Sequence, residues 1–101
     1  MFVHTVFFWL KDKNSQADRQ QLQEGLQSLT RITAINHAWI GTPADTRRPV
    51  IDHSYDFSIT FVFADKAGHD TYQDHPDHLK FVENCGKLWT RVQVYDAVSV
   101  G

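Results

Sequence analysis

FVHTVFFWL, residues 2–10, is the stretch on which the fold turns. Its β-branched and aromatic residues predict a strand. In an extended chain Phe2, His4, Val6, Phe8 and Leu10 share one face, and Val3, Thr5, Phe7 and Trp9 share the other. A strand with one solvated face alternates apolar with polar residues. This one is apolar on both faces, which predicts cover on both sides.

Working outward, Ser15 with Asp18 resembles a capping box, and Leu22, Leu26 and Leu29 follow at helical spacing. Residues 32–40, ITAINHAWI, predict a second strand ending at Gly41. Residues 41–54 hold two prolines and cannot be regular; the length suits a functional loop or an edge cover. SYDFSITFVFAD, residues 54–65, predicts a third strand with Tyr55, Phe57, Ile59, Phe61 and Phe63 on one face. A helix is expected from about 66 to 74, broken at His75 because a following proline disfavours α backbone. Pro76 suits the first turn of a second helix reaching about Leu88, with Leu79, Phe81, Val82, Cys85 and Leu88 turned inward. Residues 90–100 predict the last strand.

Strand, helix, strand, strand, helix, strand is the α+β ferredoxin-like plan: an antiparallel sheet with helices on one face, here as a single domain spanning residues 1–101. The bare sheet face then needs a cover, and a second copy of the chain is the most economical one. A chain of 101 residues buries a modest share of its surface alone, and its 13% aromatic content needs a core, an interface or a pocket.

A net charge of −2, with no basic run beyond Arg47-Arg48, gives no support to nucleic-acid binding. The apolar start lacks a charged n-region and a cleavage site and is too short to span a bilayer, so no membrane partner is expected. Cys85 is the only cysteine, which excludes an internal disulfide and fits a reducing, cytoplasmic setting.

DTYQDHPDHLKF, residues 70–81, concentrates the polar chemistry. Tyr72, His75 and His78 can hang over one end of the sheet, with His4 approaching from the first strand. As a metal site the stretch is weak: His75 and His78 are three apart across a kink, where a helical zinc pair stands four apart. No metal or cofactor is expected. As an acid–base site it is stronger. His78 can act as a base near neutrality, and the Tyr72 hydroxyl can hydrogen-bond a carbonyl oxygen as charge develops there. Nothing points to covalent catalysis. The same residues also suit a plain helix start, capped by Asp74, Asp77 or the histidine rings. His37, His53 and His69, with Arg47 and Arg48, read as solvated.

FVHTVFFWLK, YDFSITFVFAD and YQDHPDHLKFV resemble the stress-responsive A/B barrel (Dabb) family, and the likeness runs over nearly the whole chain. Tyr-x-x-His-Pro-x-His is its most specific part. The resemblance implies a dimeric α+β barrel in which two sheets close on each other. Many members have no known activity. A plant branch includes a polyketide cyclase that closes a linear tetraketide by an aldol step without metal or cofactor. Its tyrosine and histidine match Tyr72 and His78, and its first-strand histidine matches His4. Where that enzyme has a further histidine in the third strand, this chain has Phe57, which cannot hydrogen-bond a base or a substrate. Related small barrels include cofactor-free monooxygenases, so the fold alone does not choose a reaction.

The expectation is therefore a homodimer joined through its sheets, with a small apolar pocket between sheet and helices. His78 and Tyr72 are the catalytic candidates. His4, Val6, Phe8, Phe57 and Phe81 are expected to contact a small carbonyl compound, while His75 and Pro76 order the helix start. The alternatives are a non-catalytic stress-related dimer and a monooxygenase-like barrel.

Overall fold

The computed structural model describes residues 1–101. β1 (Phe2–Leu10) leads into α1 (Gln16–Leu29), then β2 (His37–Gly41), β3 (Phe57–Phe63), α2 (Lys66–Gln73), α3 (Pro76–Cys85) and β4 (Trp89–Val98). A single 3-10 turn, Gly86–Leu88, joins α3 to β4. The strands form one antiparallel sheet in the order β2-β3-β1-β4. This is the ferredoxin-like βαββαβ plan. The two most apolar strands, β1 and β3, take its centre, where both ladder edges are paired.

Register carries the period-two pattern across the sheet. Phe2, His4, Val6 and Phe8 lie beside Phe63, Phe61, Ile59 and Phe57 on one side, and beside Val98, Asp96, Val94 and Val92 on the other. This face meets the helices. Leu22, Leu26 and Leu29 of α1 are fully buried against it, together with Phe61, Phe63 and Tyr72. Each such side chain contributes about 1.5–3 kcal/mol by leaving water. Gly25 lets α1 approach α3: a Cβ there would stand 2.8 Å from Cys85 Sγ and 3.0 Å from Phe81 Cδ1.

The opposite face carries Val3, Thr5, Phe7 and Trp9, all half-buried within one chain. Trp39 of β2 and Tyr95 of β4 stand beside them, 58% and 62% exposed. Tyr55 packs on Phe7 and Arg91 lies over Trp9, but Trp39 and Tyr95 stay open, so the doubly apolar β1 retains one face available to a partner.

Ser15 caps α1 as expected, its hydroxyl accepting from Asp18 N at 3.1 Å. Three boundaries differ from expectation. Residues 32–36 are turns rather than strand: Ile32 is buried as an anchor after α1, and Ile35 N bonds back to its carbonyl. β3 begins at Phe57, because Asp56 turns in to serve other groups. α3 ends at Cys85, and its buried face runs through Phe81 and Cys85; Val82 and Leu79, about 100° and about 160° around the helix from Phe81, are 44% and 57% exposed.

Asp56 forms a network that sequence reading missed. Only 7% exposed, it accepts from Leu10 N at 2.8 Å, Lys13 Nζ at 2.8 Å and Arg19 Nη1 at 3.1 Å. The Arg19 guanidinium also lies 5.0 Å above the Phe57 ring. The loop end, β1 and α1 are thus tied at one carboxylate. No helix is long and apolar enough to cross a membrane.

Candidate active site

A cavity of about 340 Å³ opens between the helices and the β4 side of the sheet. The helices stop short of this edge strand, so Val92 and Val94 are each 43% exposed at its mouth. His4, Val6, Phe8, Tyr72, His78 and Phe81 all line it. A pocket of this size and mostly apolar lining, with a few convergent polar groups, suits a small organic ligand.

Tyr72 comes from the last turn of α2 and is 1% exposed. Its hydroxyl makes no hydrogen bond within the protein and is not sealed, so it borders the cavity. Burial pushes the phenol well above its ordinary 10.0, which keeps it a protonated donor.

His78 lies in the first turn of α3, its ring 4.7 Å from that of Tyr72. His78 Nδ1 stands 3.1 Å from the Gln73 carbonyl. A carbonyl only accepts, so Nδ1 donates and Nε2 keeps a free lone pair. Burial pushes His78 below its ordinary 6.5; the bond to Gln73 opposes this, and the neighbouring His4 and His69 reinforce it. The neutral base form is therefore favoured near pH 7.

His4 is 4% exposed, and its Nδ1 pairs with Asp96 Oδ1 at 2.5 Å. Burial depresses its pKa, while the bond to Asp96 and its charge work the other way. Donation to a carboxylate holds Nδ1 protonated and leaves Nε2 as an acceptor. The His4 ring lies edge-on to Tyr72 at 5.8 Å. Asp96 was missed in the sequence. Its signal was its phase: in β4 it follows Val92 and Val94 at period two, an acid on an otherwise apolar face, in register with His4.

His69, expected to be solvated, is instead drawn into the site. Its side chain is 13% exposed and stacks on Phe2 at 4.5 Å, with the His4 ring 5.0 Å away. It stands three residues before Tyr72 and so shares its face of α2. His37 and His53 are exposed as expected, and the exposed Arg47 pairs only with Asp45, at 3.4 Å.

Two further expectations need correcting. Phe57 is buried but does not line the cavity; it lies beside Phe8 on the β3 side of β1, away from β4, under Arg19. His75 and His78 do not converge. His75 Nδ1 accepts from Asp77 N at 3.0 Å, capping α3, with Pro76 at its first position. Within DTYQDHPDHLKF, Tyr72, Gln73, His78 and Phe81 thus line the cavity, while His75 and Pro76 shape the helix start.

Comparison with known proteins places the fold. No curated protein matches the chain. A Dabb protein of ferredoxin-like fold from Mesorhizobium loti is 29% identical, with a TM-score of 0.80 over 99% of this chain and 97% of that one. A dimeric ferredoxin-like protein of unknown function from Thermobifida fusca is 19% identical, with a TM-score of 0.78 over 97% of this chain and 90% of that one. The hydroxynitrile lyase of Passiflora edulis is also 19% identical, with a TM-score of 0.78 over 99% of this chain and 94% of that one. The last two likenesses establish fold alone. The family profile described as the stress responsive A/B barrel domain matches residues 2–99, and the chain belongs to that family, Dabb.

Proposed function

We propose that the chain binds a small, largely apolar carbonyl compound in this cavity and removes a proton from the carbon beside the carbonyl. His78 Nε2 takes the proton. The electron pair of the broken C–H bond moves into an enolate, whose oxygen is held by the Tyr72 hydroxyl. His4, oriented by Asp96, offers a second acceptor toward the ligand. Val6, Phe8 and Phe81 supply apolar contact. The observation that carries this reading is the pairing of a protonated phenol with an imidazole whose free nitrogen is set by the Gln73 carbonyl. A lyase of the same fold, acting on hydroxynitriles, is compatible with carbonyl chemistry in such a barrel.

The working unit in this reading is a homodimer closed through the outer sheet faces. It is supported by the exposed Trp39 and Tyr95 and by dimeric relatives. The single buried Cys85 suits a reducing compartment such as the cytoplasm.

The test is solvent deuterium exchange at the α-carbon of a medium-chain methyl ketone, followed by NMR. Wild type should accelerate exchange; His78→Asn should lower the rate about 10²-fold or more, and Tyr72→Phe by about the same order. Exchange no faster than in buffer, or unchanged in both variants, removes the proposal. The competing reading is a non-catalytic dimer whose motif organises a helix start, and the His75 cap is the observation in its favour.

A further inference from the structure

His69, Asp96 and His4 come from α2, β4 and β1, and one ligand atom from each lies within 4.8 Å of the others. His69 Nδ1 stands 3.1 Å from Asp70 Oδ1. A carboxylate only accepts, so the ring proton sits on Nδ1 and Nε2 carries a lone pair. That Nε2 is sealed from solvent without a hydrogen-bond partner, and 4.0 Å away it faces Asp96 Oδ2, another acceptor. Two acceptors facing each other, one of them sealed from water and the other, on Asp96, 37% exposed at the cavity edge, leave room for a positive charge between them.

We infer that His4, His69 and Asp96 form a site for one divalent transition-metal ion at the α2 end of the cavity. The donor set selects the ion. Two imidazoles and one carboxylate suit zinc, cobalt or ferrous iron, whereas magnesium and calcium favour all-oxygen sets. Asp70 supplies the outer support such sites use, holding the His69 tautomer while Lys66 Nζ holds Asp70 at 2.7 Å. A tetrahedral centre with bonds of about 2.1 Å places its donors about 3.4 Å apart. Closing from 4.8 Å takes small side-chain rotations and release of the His4–Asp96 proton. Three protein ligands leave a fourth position, and the cavity lies beside it. These residues are distinct from the HPDH stretch, where His75 is committed to capping. The inference does not rest on the proton-transfer chemistry proposed above.

The test uses untagged protein titrated with Co²⁺, read by the visible d–d spectrum, and with Zn²⁺, read by calorimetry. Wild type should bind one ion per chain. His69→Phe, which keeps the stacking on Phe2 but removes the donor, and Asp96→Asn should each weaken binding about tenfold or more. His75→Ala should bind as wild type. Circular dichroism verifies folding, and if Asp96→Asn unfolds, His69→Phe decides alone. The site is overturned by wild type that binds neither ion, by His69→Phe binding equally well, or by loss of binding in His75→Ala. Failure here with α-proton exchange intact in chelator leaves the proposed function standing.

Discussion

The rings of Tyr72 and His78 lie 4.7 Å apart at 54°, although they belong to different helices. The break between those helices creates the relationship. Asp74 ends α2, His75 takes an extended ψ of 137°, and Pro76 starts α3 on a new axis. The offset lets His78 Nδ1 reach back five residues to the Gln73 carbonyl. In one continuous helix that carbonyl would be occupied by the main-chain N–H four residues on. The helix start and the candidate base are therefore two consequences of one proline.

His75→Ala separates them. Losing the cap should cost about 1 kcal/mol in chemical denaturation, while α-proton exchange stays within about twofold of wild type. A loss of exchange comparable to that of His78→Asn would place His75 in the chemistry and contradict its assignment.

The pH dependence follows from burial. His78 must be unprotonated to act, and its pKa is pushed below 6.5, so exchange should be flat near pH 7 and fall only on the acid side, below 6.5. An acid limb centred above 6.5 would contradict the assignment. Stability follows the same sign. His4 and His78 both titrate lower in the folded chain than in the unfolded one. Between the folded pKa values and 6.5 the unfolded chain therefore binds more protons, and Tm should fall as pH drops through that window.

Asp56 extends the trend to lower pH. Burial pushes its carboxyl up, but hydrogen bonds from Lys13, Leu10 N and Arg19 outweigh this and hold it below 3.8. Its contribution is complete above that value and is lost as pH falls through the folded pKa. Asp56→Ala strands Leu10 N and the Arg19 guanidinium, and should cost about 2–3 kcal/mol at pH 7. A denaturation midpoint equal to that of wild type would show the network to be dispensable.

The architecture was readable because its signals are periodic. Residues 57–63 alternate at period two, residues 2–10 form a β-branched and aromatic run, Leu22, Leu26 and Leu29 repeat at helical spacing, and Pro76 marks its own break. Where periodicity is shared by two structures, reading failed. The β-branched Ile32 and Ile35 fit a strand as well as they fit the turns that follow α1. In α3, Leu79 and Val82 look as apolar as Phe81 and Cys85, and only the helix's rotation leaves Leu79 outward and Val82 at the cavity rim. The candidate site was half visible. Tyr72, His78 and His4 stand out as chemistry-bearing types in a dense motif or an apolar strand. His69 and Asp96 do not, because they reach the site through strand register and the seating of α2 on Phe2, which are properties of the assembled sheet.

The outer sheet face gives a test of assembly. Thr60 lies between Thr5 and Trp39 in register, at the middle of that face and away from the helices. Wild type should scatter light as a dimer. Thr60→Arg, which sets a charge where a second sheet would pack, should shift it to monomer with its helical circular dichroism retained. A monomeric wild type, or a variant that stays dimeric, would exclude this face as the interface.

Gly25 tests the helix layer, and two effects compete there. Replacing glycine by alanine inside a helix ordinarily gains about 1 kcal/mol. Here the added methyl would meet Cys85 Sγ at 2.8 Å and the Phe81 ring at 3.0 Å, and overpacking a tight core costs about 1–3 kcal/mol. Cys85 is 4% exposed and has little space to turn into, so the clash should win and Gly25→Ala should lose about 1 kcal/mol net. Removing the sulfur identifies the cause. In the Gly25→Ala/Cys85→Ala pair the helix gain remains while the 2.8 Å contact is gone, so the double variant should be less destabilised than the two single losses added together. Strict additivity in denaturant would locate the strain at Phe81 instead. Because Phe81 lines the cavity, that outcome should also appear as weakened ketone binding.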